Sequence, residues 1–483
     1  MRNDKGTASH EFDIAIIGGG SGGFAAARTA SARGATVAVI EGGSEVGGLC
    51  ILRGCMPTKA LLESSHRLHE IHRAREFGIA VPKARPLPPA ILRRKNRFIA
   101  EFADYRRTQL EEGKFSFVRG RARFIARNEL AIDPVPGARS RAAGKAIPTP
   151  RHIRFRRCII ATGSEVTWPD VPGLRGAGCL TSDDAIALAR VPRTLIVLGG
   201  GSVACELAQH FSRLGSRVTQ IQRSPHLLSD MDADIADALA EQFRSEGIRL
   251  FTGTRLLRAE KLGRARRVTF EHGGKTRVAS AEAILCALGR KPAIASLDLG
   301  AAGVRADRGA IAVDGSMRTS NPDIFAIGDC NGIIEVVHIA IQQGEIAGRN
   351  ASDGGSATWN ARLKAHVVFT EPQIAACGAS EKELAAAGRP FLAASYPFAD
   401  HGKSMIHGAT RGFVKILCDP ASGEILGAAI AGPHGGELIH EMIAAMHWRG
   451  TVAQLAAMPH YHPTLAEILT YPAEELAEKV ARG

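Results

Sequence analysis

The chain has 483 residues, 45% apolar and 23% charged, the balance of a globular protein long enough for several domains. No apolar run reaches the length of a membrane span, and the opening MRNDKGTASHEFD holds no apolar core of a secretion signal, so a cytoplasmic protein with no membrane partner is expected. The net charge of +13 suits acidic partners, but the basic stretches ILRRKNRF (91–98) and RHIRFRR (151–157) have no interleaved array of stacking aromatics, and nucleic acid is not expected as a partner.

The first element is FDIAII (12–17), a short apolar run with strand propensity. GGGSGG (18–23) follows, then a helix of small residues, then a second strand, ATVAVIE, ending at Glu41. This is G-x-G-x-x-G between a strand and a helix, the fingerprint of a dinucleotide site. Gly18 allows the tight turn, Gly20 lets the backbone approach a pyrophosphate, and Gly23 lets helix and strand pack closely. The pyrophosphate would rest on the helix N-terminus. Glu41, 23 residues beyond Gly18, is placed to accept hydrogen bonds from an adenosine ribose.

Next comes GGLCILRGCMPTK (47–59), with Cys50 and Cys55 in a C-x4-C arrangement. The pair could be half of a metal site, a structural crosslink, or a redox couple. Zinc sites usually pair C-x2-C with a second set of ligands, and none follows, so no metal is expected. The other seven of the nine cysteines are scattered singly, as Cys158 and Cys286 are in apolar runs, and read as small core residues. Arg85 to Gly113 interleaves basic and apolar residues at helical spacing, which predicts an amphipathic helix of structural role.

The strand–turn–helix–strand plan recurs 181 residues later in TLIVLGGGSVACELAQHFSRLGSRVTQIQR, with Gly199, Gly201 and Ala204 as G-x-G-x-x-A. Gln222 stands at the position matching Glu41, and Arg223 follows. Without a carboxylate to repel a 2′-phosphate, and with a cation beside it, this second site favours NADP over NAD. Two such units imply two nucleotides, one held permanently and one exchanged, and hydride chemistry between a flavin and a nicotinamide is their natural use. RNASDGGSATWN (349–360) reads as a linker. Beyond it, the apolar runs HVVF, GFVKIL and ILGAAIAG alternate with helical stretches, predicting an antiparallel sheet with helices on one side.

Taken in order, the two glycine-rich turns, Cys50–Lys59, IIATG (159–163), TSNPDIFAIGD (319–329) and HPTLAE (462–467) give the chain a resemblance, over nearly its whole length, to the pyridine nucleotide–disulphide oxidoreductases. That family includes dihydrolipoamide dehydrogenase, glutathione reductase and mercuric reductase. The resemblance implies an α/β chain with two Rossmann-like dinucleotide-binding domains and a C-terminal α+β dimerisation domain. The FAD-binding domain would use 1–165 and 291–355, the NAD(P)-binding domain 166–290 and the dimerisation domain 356–483. The cofactors implied are FAD and NAD(P)H. Hydride would pass from nicotinamide to flavin, and electrons on to a Cys50–Cys55 disulphide. Cys55 would lie against the flavin while Cys50 exchanges with substrate through a mixed disulphide. His462 would be the base for Cys50, with Glu467 fixing its tautomer. The pair would act across a homodimer interface, so that the active site is shared between subunits. Lys59 and Glu206 would stand beside the flavin. Thr162, Gly163 and Asp329 would meet FAD, and Gly289 would join the cofactor-binding set.

The resemblance also bears on substrate. VHIAIQQG (337–344) and HYHPTLAEIL (460–469) are similar to segments of dihydrolipoamide dehydrogenases, which points to a small dithiol or disulphide, including one carried on an acidic lipoyl protein. Gln222 and Arg223 depart from the NAD-selecting acid usual in those enzymes. Arg28 matches an arginine that glutathione reductases use near substrate, but Glu345 stands where a second is expected and would repel the carboxylates of glutathione, at a cost on the order of 2 kcal/mol. The C-terminal cysteine pair of mercuric reductases has no counterpart in EELAEKVARG, and the histidine at 462 replaces the tyrosine usual there. Ile51 and Leu52 stand where a polar residue is often found, and Ser202 where some relatives carry an aromatic gate.

Overall fold

The computed structural model describes residues 10–482; most of the stretch read for a secretion signal, residues 1–9, lies outside it, as does Gly483. The chain folds as two compact units. One takes the residues up to Pro57, Arg94–Thr167 and Arg290–Asn360; the other takes Thr58–Arg93, Trp168–Gly289 and the residues from Ala361 onward. The architecture is the expected α/β, with parallel sheets, flanking helices and an antiparallel C-terminal sheet.

In the first unit the strand His10–Ile17 runs parallel between Val37–Glu41 and His152–Ile160, inside an eight-stranded sheet. Alternation along the strand divides the core between its two faces. Ile14 and Ile16 pack with Ala26, Ala27 and Ala30 of the helix Ser21–Ser31, whereas Ala15 and Ile17 pack with Val118, Phe124 and Leu130. The helix is built of small residues because a second backbone runs against it. A Cβ added at Gly344 or Gly348 of the helix Val337–Asp353 would come within 2.4 Å of the Gly22 oxygen or 2.7 Å of the Ala26 oxygen.

The stretch expected as a linker is shorter than 349–360. Arg349 to Asp353 complete the helix, which Gly354 ends in the left-handed conformation (φ 71°), leaving only 354–360 without helix or strand. The amphipathic helix spans Pro88–Glu111.

The second unit repeats the parallel plan. Its four-stranded sheet runs Arg249–Phe251, Arg217–Ile221, Thr194–Leu198, Ala283–Cys286. The C-terminal antiparallel sheet runs Ala365–Val368, Gln373–Gly378, Ile425–Gly432, Phe413–Cys418, Leu392–Pro397. Helices cover both of its faces, not one. Gly435–His447 and Thr470–Arg482 pack on the side of Ile416, Ala428 and Ile430, and Leu239 and Phe243 of Ala233–Ser245 pack on the side of Ala429 and Ala431. A strand covered on both faces reads as one apolar run, and ILGAAIAG is buried at every position.

Two charged clusters tie elements of this unit together. Lys415 is 5% exposed, and its Nζ lies 3.1 Å from Asp232, 2.9 Å from Asp234 and 2.6 Å from Glu381. Arg213 is held by Glu246 at 2.7 Å and Glu371 at 2.6 Å. Both cations tolerate burial because each is met by carboxylates.

One helical turn before Arg213 lies His210, whose Nδ1 is 3.1 Å from the Ser65 hydroxyl. Burial, then the nearby His66, pushes its pKa down to about 3 from the usual 6.5. The folded protein therefore takes up this proton only far below the pH at which the unfolded chain does. The expected outcome is no contribution above pH 6.5, and stability lost as pH falls from there toward 3, by up to about 1.4 kcal/mol per pH unit. Denaturant midpoints measured across that range should fall less steeply for His210→Gln than for the natural chain.

Candidate active site

The first glycine-rich turn is shaped by backbone crowding. Gly18 has φ +111°, and a Cβ there would sit 2.3 Å from the Ala161 oxygen; a Cβ at Gly23 would sit 1.9 Å from the Gly18 oxygen. No side chain caps the helix Ser21–Ser31, whose N-cap is Gly20. The helix thus starts against bare backbone, as an anion site requires. Glu41 closes the turn from below, its Oε2 accepting from Gly19 N at 2.9 Å and its Oε1 from Gly43 N at 2.6 Å.

The cysteine segment meets the same turn. A Cβ at Gly48 would lie 2.7 Å from the Gly20 Cα, and Gly48 has φ +72°. Gly47 and Gly48 are therefore what allow the short helix Gly48–Leu52, carrying Cys50, to start against the phosphate-type turn. Cys55 begins the helix Cys55–Arg73, and both cysteines are half-buried. Arg106 lies with its guanidinium 4.4 Å from the Phe24 ring centroid; burial pushes its pKa down and the charge of Cys50 opposes that.

Thr162 and Gly163 lie one residue past the end of the strand His152–Ile160. The Ser164 hydroxyl donates to Asp329 Oδ2 at 2.6 Å and accepts from Arg290 Nε at 2.8 Å, so a three-residue relay fixes the aspartate. Burial and Asp329 push the carboxyl of nearby Glu335 up, and Arg290 opposes them.

In the second unit the turn repeats closely. Gly199 has φ +115°, and its Cβ would sit 2.2 Å from the Ala287 oxygen, as at Gly18. Ala204, on the helix Ser202–Arg213, is buried and carries the Cβ that Gly23 has no room for. Gln222 lies under Gly200 as Glu41 lies under Gly19: a Cβ at Gly200 would be 2.8 Å from its Cδ. Its Oε1 accepts from Arg223 N at 3.0 Å, and the Arg223 side chain is exposed. Added Cβ atoms at Gly201 and Gly289 would meet nothing within 4 Å.

Lys59 and Glu206 are brought together, with Nζ 2.9 Å from both carboxylate oxygens. The carboxylate is 2% exposed, against 34% for the lysine. Phe369, a residue the sequence did not single out, supports both: its backbone N–H donates to Glu206 Oε1 at 3.0 Å, and its ring lies 4.6 Å from Lys59 Nζ. Ser202 Oγ is 3.2 Å from His366 Nε2, on a ring whose pKa burial pushes down.

His462 and Glu467 also meet, Nδ1 to Oε2 at 2.9 Å. The histidine side chain is 78% exposed and the glutamate 11%. The other carboxylate oxygen is taken by His401, unpredicted from sequence, whose Nε2 lies 3.2 Å away. His460 makes a separate pair with Glu441 at 2.7 Å. Arg28 and Glu345 face each other as an ion pair at 2.9 Å. Among the described residues, no helix is long and apolar enough to cross a membrane.

Known proteins share this plan. The family description "Pyridine nucleotide-disulphide oxidoreductase" matches residues 12–344, and that family's dimerisation domain matches 364–473. Dihydrolipoyl dehydrogenase of Bacillus subtilis (strain 168) is 33% identical over 423 residues, 87% of this chain and 89% of that protein. Mercuric reductase of Bacillus cereus is also 33% identical, over 89% of this chain but 65% of that longer protein. Among solved structures, the HOCl-induced flavoprotein disulfide reductase RclA from Escherichia coli superimposes with a TM-score of 0.81 at 25% identity, covering 96% of this chain and 99% of that one. LpdA from Mycobacterium tuberculosis gives 0.83 at 27%, covering 97% and 99%. Matches this extensive make the chain a member of the pyridine nucleotide–disulphide oxidoreductases, flavoprotein enzymes that use FAD and NAD(P)H.

Proposed function

We propose that the protein passes electrons between NAD(P)H and a small dithiol or disulphide through FAD and a Cys50–Cys55 redox pair, as dihydrolipoamide dehydrogenases do. The observation that carries this reading is the exposed His462 braced by the buried carboxylate of Glu467, a base built to face outward. The first unit, with the Gly18–Gly23 turn, Glu41, Thr162, Gly163 and Asp329, would hold FAD; its crowded, uncapped turn fits a pyrophosphate. The second turn, with Gly199, Gly201, Ala204, Gln222, Arg223 and Gly289, would hold the nicotinamide nucleotide. The segments 166–290 and 356–483 would be the nucleotide and dimerisation domains.

Bound FAD supplies the two-electron link between nicotinamide and disulphide. The chain's own groups do the rest. Lys59, its charge held in place by Glu206, sits one helical turn beyond Cys55 in sequence and would offset negative charge gathered near that cysteine. Cys50 attacks the substrate disulphide as a thiolate, forming one S–S bond and releasing the other sulphur. His462, contributed by a second copy of the chain, takes the Cys50 thiol proton at Nε2 while Nδ1–H stays bonded to Glu467. The match to a dimerisation domain supports that arrangement.

For substrate, the Arg28–Glu345 ion pair speaks against a glutathione site, because the cation is already neutralised by its own neighbour. A dihydrolipoamide-type dithiol fits better. A second reading, an NADPH-driven reductase of another small disulphide, is favoured by Gln222 and Arg223.

Cys50→Ser should keep its flavin and still be bleached by NAD(P)H, while turnover of dihydrolipoamide drops on the order of a thousandfold or more; unchanged turnover would sink the disulphide mechanism. The natural enzyme should show a higher kcat/KM with NADPH than with NADH. In Gln222→Glu that preference should shrink about tenfold or more, through repulsion of the 2′-phosphate, and equal ratios in both proteins would reject the assignment of Gln222.

A further inference from the structure

Resting on the reading of His462 as the thiol base, we propose that His401 is a positioning residue for the His462–Glu467 pair, making it a relay of three side chains anchored in the core. His401 is fully buried and follows the strand Leu392–Pro397 and the single helical turn Phe398–Asp400. Both ring nitrogens are engaged: Nδ1 lies 2.8 Å from the Ser404 hydroxyl and Nε2 lies 3.2 Å from Glu467 Oε1. An ionised carboxylate only accepts, so Nε2 carries the proton and donates it to Glu467, leaving Nδ1 to accept from Ser404. The same rule applies at the other oxygen, where His462 Nδ1–H donates to Oε2 at 2.9 Å. Each oxygen of Glu467 therefore has an imidazole donor, one buried and one exposed.

A carboxylate held at one oxygen only can rotate about its last bond. Held at both, it cannot turn without losing a hydrogen bond, and the bond to the fully buried His401 has no exposed partner to replace it. Packing fixes His401 in turn. Tyr471 presents its ring edge-on at 6.3 Å between centroids, and Tyr396 stacks on Tyr471 at 4.1 Å. Tyr471 stands one helical turn beyond Glu467, so the residue that braces His401 and the residue it serves move together. The result is an outward-facing His462 whose Nε2 direction is set from the interior.

The role predicts loss of base function without loss of the flavin site. The test uses the NAD(P)H-reduced holoenzyme and follows alkylation of its Cys50 thiol by iodoacetamide near neutral pH, which needs no knowledge of the physiological disulphide. His401→Ala should keep natural flavin content yet react about tenfold more slowly. His401→Gln, which keeps an N–H donor, should recover to within about threefold of the natural rate. A natural rate in His401→Ala overturns the proposal, and so does a His401→Gln that is as slow as the alanine variant, since filling the space without helping the rate would indicate packing alone. Ser404→Ala, which frees Nδ1 but leaves the ring in place, should fall between the two and serves if His401→Ala does not fold. His462→Ala separates the levels: if it alkylates at the natural rate, the base assignment itself fails, whereas a slow His462→Ala beside a fast His401→Ala condemns only the relay.

Discussion

The first unit depends on a constraint of backbone against backbone. Gly48 rests on Gly20, where even a single added carbon would lie 2.7 Å from the opposing Cα. Through that contact the start of the cysteine helix is tied to the glycine-rich turn proposed to hold a pyrophosphate. Gly18 and Gly23 crowd the same turn from the strand and helix sides. Four glycines thus do by absence what side chains do elsewhere: they let three stretches of chain converge within van der Waals distance. The chemistry proposed for Cys50 and Cys55 depends on this convergence, because electrons must cross from a cofactor held by the turn to sulphur carried by the segment beside it.

The second unit organises its functional groups around buried carboxylates. Glu206 receives Lys59 and the Phe369 N–H; Glu467 receives His462 and His401. In each case the carboxylate is buried and one of its partners reaches farther into solvent. A buried anion is costly unless its oxygens are satisfied, and once they are it becomes a rigid mount. The exposed partner then carries a fixed charge or a fixed lone pair. The two mounts differ in what they present, a lysine ammonium in one and an imidazole nitrogen in the other, and so suit different parts of one redox reaction.

Much of this was legible in the sequence where the signal is local. In each of the two units, the glycine-rich turn, the strands beside it and the position of Glu41 or Gln222 fall within about 30 residues, and the structure places the two sets alike. The pairs Lys59–Glu206 and His462–Glu467 were named from family motifs and are found in contact. What escaped was set by the fold alone. His401 lies 66 residues before Glu467, in FADHGK, where no spacing marks it. Phe369 serves Glu206 through its backbone, which no side-chain pattern reveals. Alternating apolar runs and helical stretches suggest cover on one side of the C-terminal sheet, whereas the unbroken apolar run of ILGAAIAG records burial on both. The linker is shorter than its composition suggests because Asn, Ser and Asp resemble loop residues even when they finish a helix; Asn350 there donates to and accepts from neighbouring backbone.

The most direct measurement is an anaerobic titration of the purified yellow protein with dithionite, followed by absorbance. If Cys50 and Cys55 form a disulphide in electronic contact with FAD, the protein takes up about four electrons per flavin, two for the ring and two for the disulphide. Blocking the first-reduced thiols with iodoacetamide should then leave an uptake of about two. A natural protein that is fully reduced by two electrons would contradict the account, since it would be a flavoprotein without a working disulphide.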